Sequence, residues 1–262
     1  MTFTASLRSE FLKIKRTSLI YIILVAAFII PFVMFFDYGS PDPEKLANGW
    51  DHFYKEATMV FVFVFLPMFF VLTSTLLMQI EVKNNAWKQV LASPQPFFNI
   101  IFAKFIIIQT LAFAFVVVYN AYMVLSAAVL DMAYGSDVLA YLKRWPELLK
   151  FNLNAFGATI GISTLGFWLA LRSKNFIAPI AIGFLLWVIG PVSLEFKLPH
   201  IDKYVFVLPF TVFAKKFEHQ RLFYQLLSLG YGLFFFTIAY VEFVWQRVQF
   251  KWLWQRPGRI VQ

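Results

Sequence analysis

Six long apolar segments divide this chain, and more polar segments separate them. Each apolar segment has about the number of residues that an α-helix needs to cross the ~30 Å hydrocarbon core of a bilayer. The pattern therefore predicts an all-α integral membrane protein with six transmembrane helices. The predicted spans are residues 19–36, 57–80, 105–130, 148–171, 176–194 and 222–244.

Composition supports one transmembrane domain over residues 1–262. Of these residues, 60% are hydrophobic and 14% are charged, whereas a soluble domain typically has about 45–50% apolar and about 25% charged residues. No segment is polar enough to cover a soluble core, so membrane lipid is the expected surrounding. The net charge of +9 does not indicate nucleic-acid binding, because the basic residues lie at span ends and form no contiguous face.

The distribution of lysine and arginine predicts the orientation of the spans. With the N-terminus inside, the cytoplasmic segments hold more than half of the 23 basic residues. The same segments hold only Glu10, Glu81 and Glu242 among the acidic residues. Because basic residues are enriched in cytoplasmic loops, we expect both termini, including the tail at residues 245–262, to lie in the cytoplasm.

The first 17 residues precede the first span and combine an apolar stripe with basic residues. The stripe recurs at helical spacing and consists of Phe3, Leu7, Phe11 and Ile14. Such a pattern is typical of an N-terminal interfacial helix that lies on the cytoplasmic surface with its apolar face among the headgroups. A basic leader that only orients the first span is the alternative, and the sequence leaves both open.

Residues 195–221 contain an apolar run, Tyr204 to Ala214, that Pro209 interrupts. The run is too short to cross a bilayer. We favour a re-entrant hairpin on the outer side before the sixth span, and an interfacial loop is the alternative. A hairpin backbone of this kind is stable only where protein or a water-filled cavity covers it.

Two further patterns bear on helix packing. Pro67 near the middle of the second span predicts a kink. Gly157 and Gly161 in the fourth span have the spacing that lets a neighbouring helix approach closely. This pair could mark a dimer face or an internal contact, and we favour the internal contact.

The chain has few residues suited to catalysis. It has no cysteine, and its three histidines, His52, His200 and His219, are not at metal-ligand spacing. It also lacks the glycine-rich loop that cradles phosphates. We therefore predict no catalytic, cofactor or metal site and no enzymatic activity in this chain. Glu242 lies near the inner end of the sixth span, where it could snorkel to the interface, and Gln109, Asn120, Asn152 and Asn154 are polar but neutral, so we expect these four to bond between helices.

The polar segment between the second and third spans, residues 81–104, differs from the other loops. Its front half is polar around one large anchor, Trp87, beside Lys88, and Pro94 and Pro96 then break the helix. A short surface helix with an apolar anchor suits a contact that transmits force. Ordinary interfacial anchoring of Trp87 and Lys88 is the alternative.

Residues 84–104, NNAWKQVLASPQPFFNIIFAK, resemble the loop between the second and third spans of ATP-binding-cassette exporter permeases of the second exporter class. They are most similar to the lantibiotic-protection and bacitracin-type permease subgroup. Residues 9–17, SEFLKIKRT, resemble the start of the same permeases, and the six-span plan agrees with theirs. Pro94-Gln95-Pro96 and the phenylalanines that follow depart from the more polar sequence usual there.

The resemblance implies a permease subunit in a bacterial cytoplasmic (inner) membrane, with ATP and magnesium bound by a separate cytosolic ATPase subunit. It also implies a second permease half, identical or related, and an amphipathic peptide or lipid-like substrate. The surface helix at about residues 81–92 would be the cytoplasmic coupling helix seated on the ATPase. The residues expected to contact the ATPase are Glu81, Lys83, Asn84, Asn85, Trp87, Lys88 and Leu91. A non-transporting membrane scaffold that recruits partners through this loop is the alternative function.

Overall fold

A computed structural model describes residues 3–14, 17–38, 50–83, 95–135, 138–173 and 175–254. All regular secondary structure in these ranges is helical, and six helices are long and apolar enough to cross a membrane. The prediction of an all-α protein with six membrane spans is confirmed at this level. The six helices are Leu19–Tyr38, Phe53–Lys83, Phe97–Tyr134, Val138–Arg172, Ile177–Glu195 and Lys216–Trp245.

We number the α-helices in chain order. They are α1 (Phe3–Ile14), α2 (Leu19–Tyr38), α3 (Phe53–Lys83), α4 (Phe97–Tyr134), α5 (Trp145–Ala158), α6 (Ile160–Arg172), α7 (Ile177–Glu195), α8 (Leu208–Thr211) and α9 (Arg221–Trp254). Each predicted span overlaps one of the six long helices. The helices extend beyond the predicted spans; for example, α4 begins at Phe97 and α9 continues to Trp254.

The helix α3 changes its winding where the sequence predicts a kink. A π-helical turn, Phe61–Phe65, lies immediately before Pro67. Proline has no backbone N–H, so the carbonyl four residues earlier, that of Phe63, loses its helical partner. The indole Nε1 of Trp187 in α7 donates to this carbonyl oxygen at 2.7 Å. A side chain of another span therefore satisfies the acceptor that the proline leaves free.

The fourth span is interrupted at Thr159, which separates α5 from α6. The hydroxyl of Ser228 in α9 bridges this break, since it donates to the Ala158 carbonyl at 2.9 Å and accepts from the Gly161 N–H at 3.1 Å. A Cβ added at Gly161 would lie 2.9 Å from Tyr231 Cβ, whereas one added at Gly157 would meet no atom within 4 Å. Of the two glycines, Gly161 is the one where α9 approaches closely.

The segment between α7 and α9 folds into short helical turns that pack against the bundle. Phe206 and Leu208 are fully buried, and the Phe213 ring meets that of Phe151 in α5 at 4.5 Å. The Tyr204 hydroxyl donates to the Leu186 carbonyl at 2.7 Å, and burial raises the pKa of this hydroxyl to about 12. Protein thus covers the irregular backbone here, while the choice between re-entrant hairpin and interfacial loop stays a prediction.

The six long helices differ in how much of each is covered. The helices α3 and α4 and the α5–α6 pair form the core, whereas α2, α7 and α9 leave broad apolar faces exposed. Within α9 the exposed side chains include Leu226 and Leu233. Apolar faces of this extent suit contact with lipid or with another membrane subunit.

Candidate functional site

Four charged side chains meet at one end of the bundle. Glu81 lies at the end of α3, Lys104 lies in the first turns of α4, and Glu10 and Lys13 come from α1. The helices α3 and α4 lead into and out of the segment in which the coupling helix is predicted. We call these four residues the charged cluster.

Each carboxylate of the charged cluster contacts both lysines. Lys104 Nζ donates to Glu10 Oε2 at 3.0 Å and also bonds to Glu81 Oε1. Lys13 Nζ donates to Glu10 Oε1 at 2.7 Å and to Glu81 Oε1 at 2.6 Å. The Lys104 side chain is 0% exposed and that of Glu81 is 1% exposed. Two acids and two bases therefore balance in a largely buried site.

The local sequence explains how α1 contributes two members of the cluster. Glu10 and Lys13 are three residues apart, a spacing that brings side chains together on one helical face. Ser6, one turn before Glu10, donates to Gln95 Oε1 at 2.7 Å. The Ser6–Gln95 bond holds α1 close to the residues just before the start of α4.

The buried face of α1 differs from the apolar stripe predicted for it. The buried residues of this helix are Ser6, Glu10 and Ile14, whereas Phe11 of the stripe is 58% exposed. The ionic contacts of Glu10 with α4 and of Lys13 with α3 use one face of α1, and Phe11 lies on the exposed side of the helix. The position of α1 at a membrane interface stays a prediction.

Burial makes the charged cluster sensitive to the loss of any member. Moving charges out of water is costly, and removing one partner of a buried pair typically costs about 3–5 kcal/mol because it leaves an uncompensated charge. The second oxygen of Glu81, Oε2, is buried and has no hydrogen-bond partner among the described residues. The cluster thus joins three helices in one defined arrangement.

The predicted ATPase contacts fall in different places. Glu81 is buried, with its carboxylate directed at Lys13 and Lys104, and Lys83 is exposed. The remaining members, which are Asn84, Asn85, Trp87, Lys88 and Leu91, lie outside the described residues, as does most of the predicted coupling helix. A contact of these residues with an ATPase stays a prediction.

The pattern of hydrophobic and polar residues did not single out Glu10, Lys13 and Lys104 as members of a site. It assigned Lys104 to a cytoplasmic loop, because the third span was predicted to begin one residue later. The signal that could have found them is the charge pattern. Glu81 follows the second apolar segment directly and Lys104 directly precedes the third. The two side chains therefore meet if these two helices pack as neighbours.

A second polar cluster lies at the other end of α3 and carries no formal charge. The Tyr54 hydroxyl donates to Asn120 Oδ1 in α4 at 2.7 Å and accepts from Asn152 Nδ2 in α5 at 2.7 Å. Asn120 Nδ2 also lies 3.2 Å from Asn152 Oδ1. We call Tyr54, Asn120 and Asn152 the neutral cluster.

The other polar side chains within the spans also bond between helices, as the sequence analysis expected. Gln109 Nε2 donates to Ser163 Oγ at 2.8 Å, and Gln225 Nε2 donates to Asn154 Oδ1 at 2.6 Å. Glu242, near the end of the last span, accepts from Trp168 Nε1 at 2.8 Å. Within the described ranges, no group of three or more acidic or histidine side chains is placed to hold a metal ion.

Comparison with protein families identifies the chain. The family described as ABC-2 family transporter protein matches residues 6–190, which include the charged cluster and the neutral cluster. No curated protein and no solved structure matches the chain. The members of this family are membrane-spanning permease subunits of ATP-binding-cassette transporters, and membership implies association with a cytosolic ATPase. Because the match extends over more than half of the 262 residues, the chain belongs to the ABC-2 family of transporter proteins.

Proposed function

We propose that this chain is one permease half of an exporter that expels an amphipathic peptide or a lipid-like substrate. ATP is hydrolysed, with magnesium, in a separate cytosolic ATPase, and a second permease half, identical or related, completes the pathway. Both termini lie in the cytoplasm of a bacterial cell. The observation that carries this proposal is the charged cluster, which joins the two helices on either side of residues 84–94.

The geometry of the charged cluster suits the transmission of force. A coupling helix at residues 81–92 would be displaced when the ATPase subunits close around ATP. Lys104 contacts Glu81 of α3 and Glu10 of α1. A displacement of either end of the segment between α3 and α4 would therefore move α1, α3 and α4 together. The helices would then rock as a unit and open the pathway alternately to the two sides.

The substrate class rests on the resemblance of residues 84–104 to the lantibiotic-protection and bacitracin-type permeases. It is also consistent with the large apolar surface of the spans, since an amphipathic molecule partitions into the bilayer and reaches a permease from there. Assignment to that subgroup is part of this proposal.

Purification from the native host tests the proposal directly. The chain is extracted in mild detergent, its partners are identified by mass spectrometry, and ATPase activity is measured for the wild type and for Trp87→Ala. We expect an ATP-binding-cassette ATPase to co-purify, and we expect Trp87→Ala to release or uncouple it. The control is Trp245→Ala, because Trp245 is an exposed tryptophan at the end of the last span.

Two results would contradict the proposal. If the chain purifies without an ATPase, or if Trp87→Ala and Trp245→Ala behave alike, residues 81–92 do not couple the permease to ATP hydrolysis. If a catalytically inactive ATPase supports the same cellular function as the active one, the chain acts as a scaffold instead.

A further inference from the structure

A groove of about 360 Å³ lies between α4 and α5, with the start of α3 beneath it. Its walls are Phe113 and Val117 of α4 and Leu149 and Leu153 of α5, all of which are half exposed. No described residue that lines the groove carries a charge. The groove therefore opens from the surface of the helical bundle and is walled by hydrocarbon side chains.

Four of the side chains that line the groove are phenols or amides. Tyr54, Asn120 and Asn152, the neutral cluster, lie there together with Tyr141. The two Nδ2 groups of the cluster are already engaged, since Asn120 Nδ2 donates to the Val116 carbonyl at 2.8 Å and Asn152 Nδ2 to the Leu148 carbonyl at 2.9 Å. Their second hydrogens point within the cluster.

Tyr141 differs from these side chains. It is 4% exposed, its ring stacks on that of Tyr54 at 5.1 Å, and its buried hydroxyl has no hydrogen-bond partner in the described part of the chain. A buried hydroxyl without a partner is costly. An acceptor oxygen in the groove would accept a hydrogen bond from the Tyr141 hydroxyl once the Tyr141 side chain shifts toward the groove.

The size and lining of the groove restrict its occupant. Its volume is near the lower end of the range for small-molecule sites, about 300–1,000 Å³, and an α-helix about 10–12 Å across does not fit. The apolar walls favour a hydrocarbon chain. The Tyr141 hydroxyl, which has no hydrogen-bond partner among the described residues, favours an uncharged oxygen acceptor. An acyl chain with its carbonyl group has both properties.

We propose that this groove binds one acyl chain of a membrane amphiphile, with the Tyr141 hydroxyl donating to the carbonyl oxygen of that chain. The site lies apart from the charged cluster and requires no ATPase. It therefore stands or falls independently of the proposed transport function.

Photolabelling tests the site in the full chain reconstituted into phosphatidylcholine vesicles. The probe is methyl palmitate with a diazirine on its chain, so that its carbonyl group is uncharged, and labelled peptides are mapped by mass spectrometry after illumination. We expect the label to concentrate on residues 113–156. Val117→Trp, which fills the groove, should lower labelling about tenfold, whereas Leu185→Trp on the exposed face of α7 should leave it unchanged. Leu149→Trp repeats the test from the opposite wall if Val117→Trp does not fold.

The Tyr141→Phe variant tests the hydrogen bond. It should lower labelling by the methyl palmitate probe about fivefold, the factor expected for one lost hydrogen bond. Labelling by a diazirine alkane without a carbonyl should not change. Because the variant removes a hydroxyl that has no partner among the described residues, the thermal stability of the protein should not fall.

Three results would overturn the proposal. Uniform labelling of the exposed faces of α2, α7 and α9 would show that the probe reports only surrounding lipid. Unchanged labelling in both tryptophan variants would exclude the groove. A disulfide between two copies of Leu149→Cys, together with an unlabelled groove, would show that a second copy of the chain covers it.

Discussion

The charged cluster and the neutral cluster occupy opposite ends of α3. Both hold α3 against neighbouring helices, the first through ion pairs and the second through hydrogen bonds between neutral groups. Tyr54 and Glu81 are 27 residues apart in sequence, which corresponds to roughly 40 Å along a helix. Each cluster joins α3 to α4 and to one further helix, which is α1 at the charged end and α5 at the neutral end. The charged end uses four ionic side chains, whereas the neutral end uses a phenol and two amides.

The two kinds of contact hold the two ends of α3 with different firmness. In a poorly solvated environment, an ammonium group that loses its carboxylate is left as an uncompensated charge, so alternative arrangements of the charged end are costly. Amide and hydroxyl groups can exchange hydrogen-bond partners at a smaller cost, since one such bond contributes about 1 kcal/mol to the free energy of unfolding. In the proposed mechanism, force enters at the firmly held end, and the neutral end can adjust its helix contacts.

Substitution of Lys104 should have the largest effect. Lys104→Met leaves Glu10 and Glu81 buried with only Lys13 to compensate them, so we expect the free energy of unfolding to fall by about 3–5 kcal/mol. Thermal unfolding in detergent, together with the yield of folded protein, measures this loss. The control is Lys83→Met, because Lys83 is an exposed lysine near the same end of the bundle.

A double variant separates charge balance from other effects of the substitution. Glu81→Gln combined with Lys104→Met leaves the Glu10–Lys13 pair, so part of the lost stability should return. If Lys104→Met is as stable as Lys83→Met, or if the double variant is no better than Lys104→Met alone, charge balance does not hold this end together.

Substitution of Tyr54 should have a smaller effect at the neutral end. Tyr54→Phe keeps the ring and removes the hydroxyl that contacts Asn120 and Asn152, so the free energy of unfolding should fall by about 1–3 kcal/mol. Tyr21→Phe is the matched control, because Tyr21 is 72% exposed. A loss as large as that of Lys104→Met would remove the distinction between the two ends.

Substitution of Ser6 should have the smallest effect and isolates hydrogen bonding from charge at the charged end. Ser6→Ala removes the bond to Gln95, and we expect a loss of about 0.5–1.5 kcal/mol in the free energy of unfolding. Ser9→Ala, on the exposed side of α1, serves as the reference. A loss above that of Tyr54→Phe would mean that α1 is held by its neutral contacts rather than by Glu10 and Lys13.

Pro67 shows where prediction from sequence ends. Its position alone implies that the Phe63 carbonyl lacks a helical donor, and the structure has a π-helical turn immediately before it. The partner of that carbonyl, Trp187, is more than 100 residues away in the chain. No local pattern in the sequence indicates that α7 brings an indole N–H to this point.

The pattern of apolar residues along the chain was enough to predict the all-helical class, the six membrane spans and the position of the polar segment between the second and third spans. These follow from apolar character summed over about 20 residues, which is a local property of the chain. The pairing of Lys104 with Glu81 and Glu10, the face of α1 that is buried and the polar side chains that line the groove follow from the packing of the folded chain. Their physical reason is that buried polar groups take whichever partners the neighbouring helices present, and the choice of neighbours and their rotation depend on packing across the whole bundle.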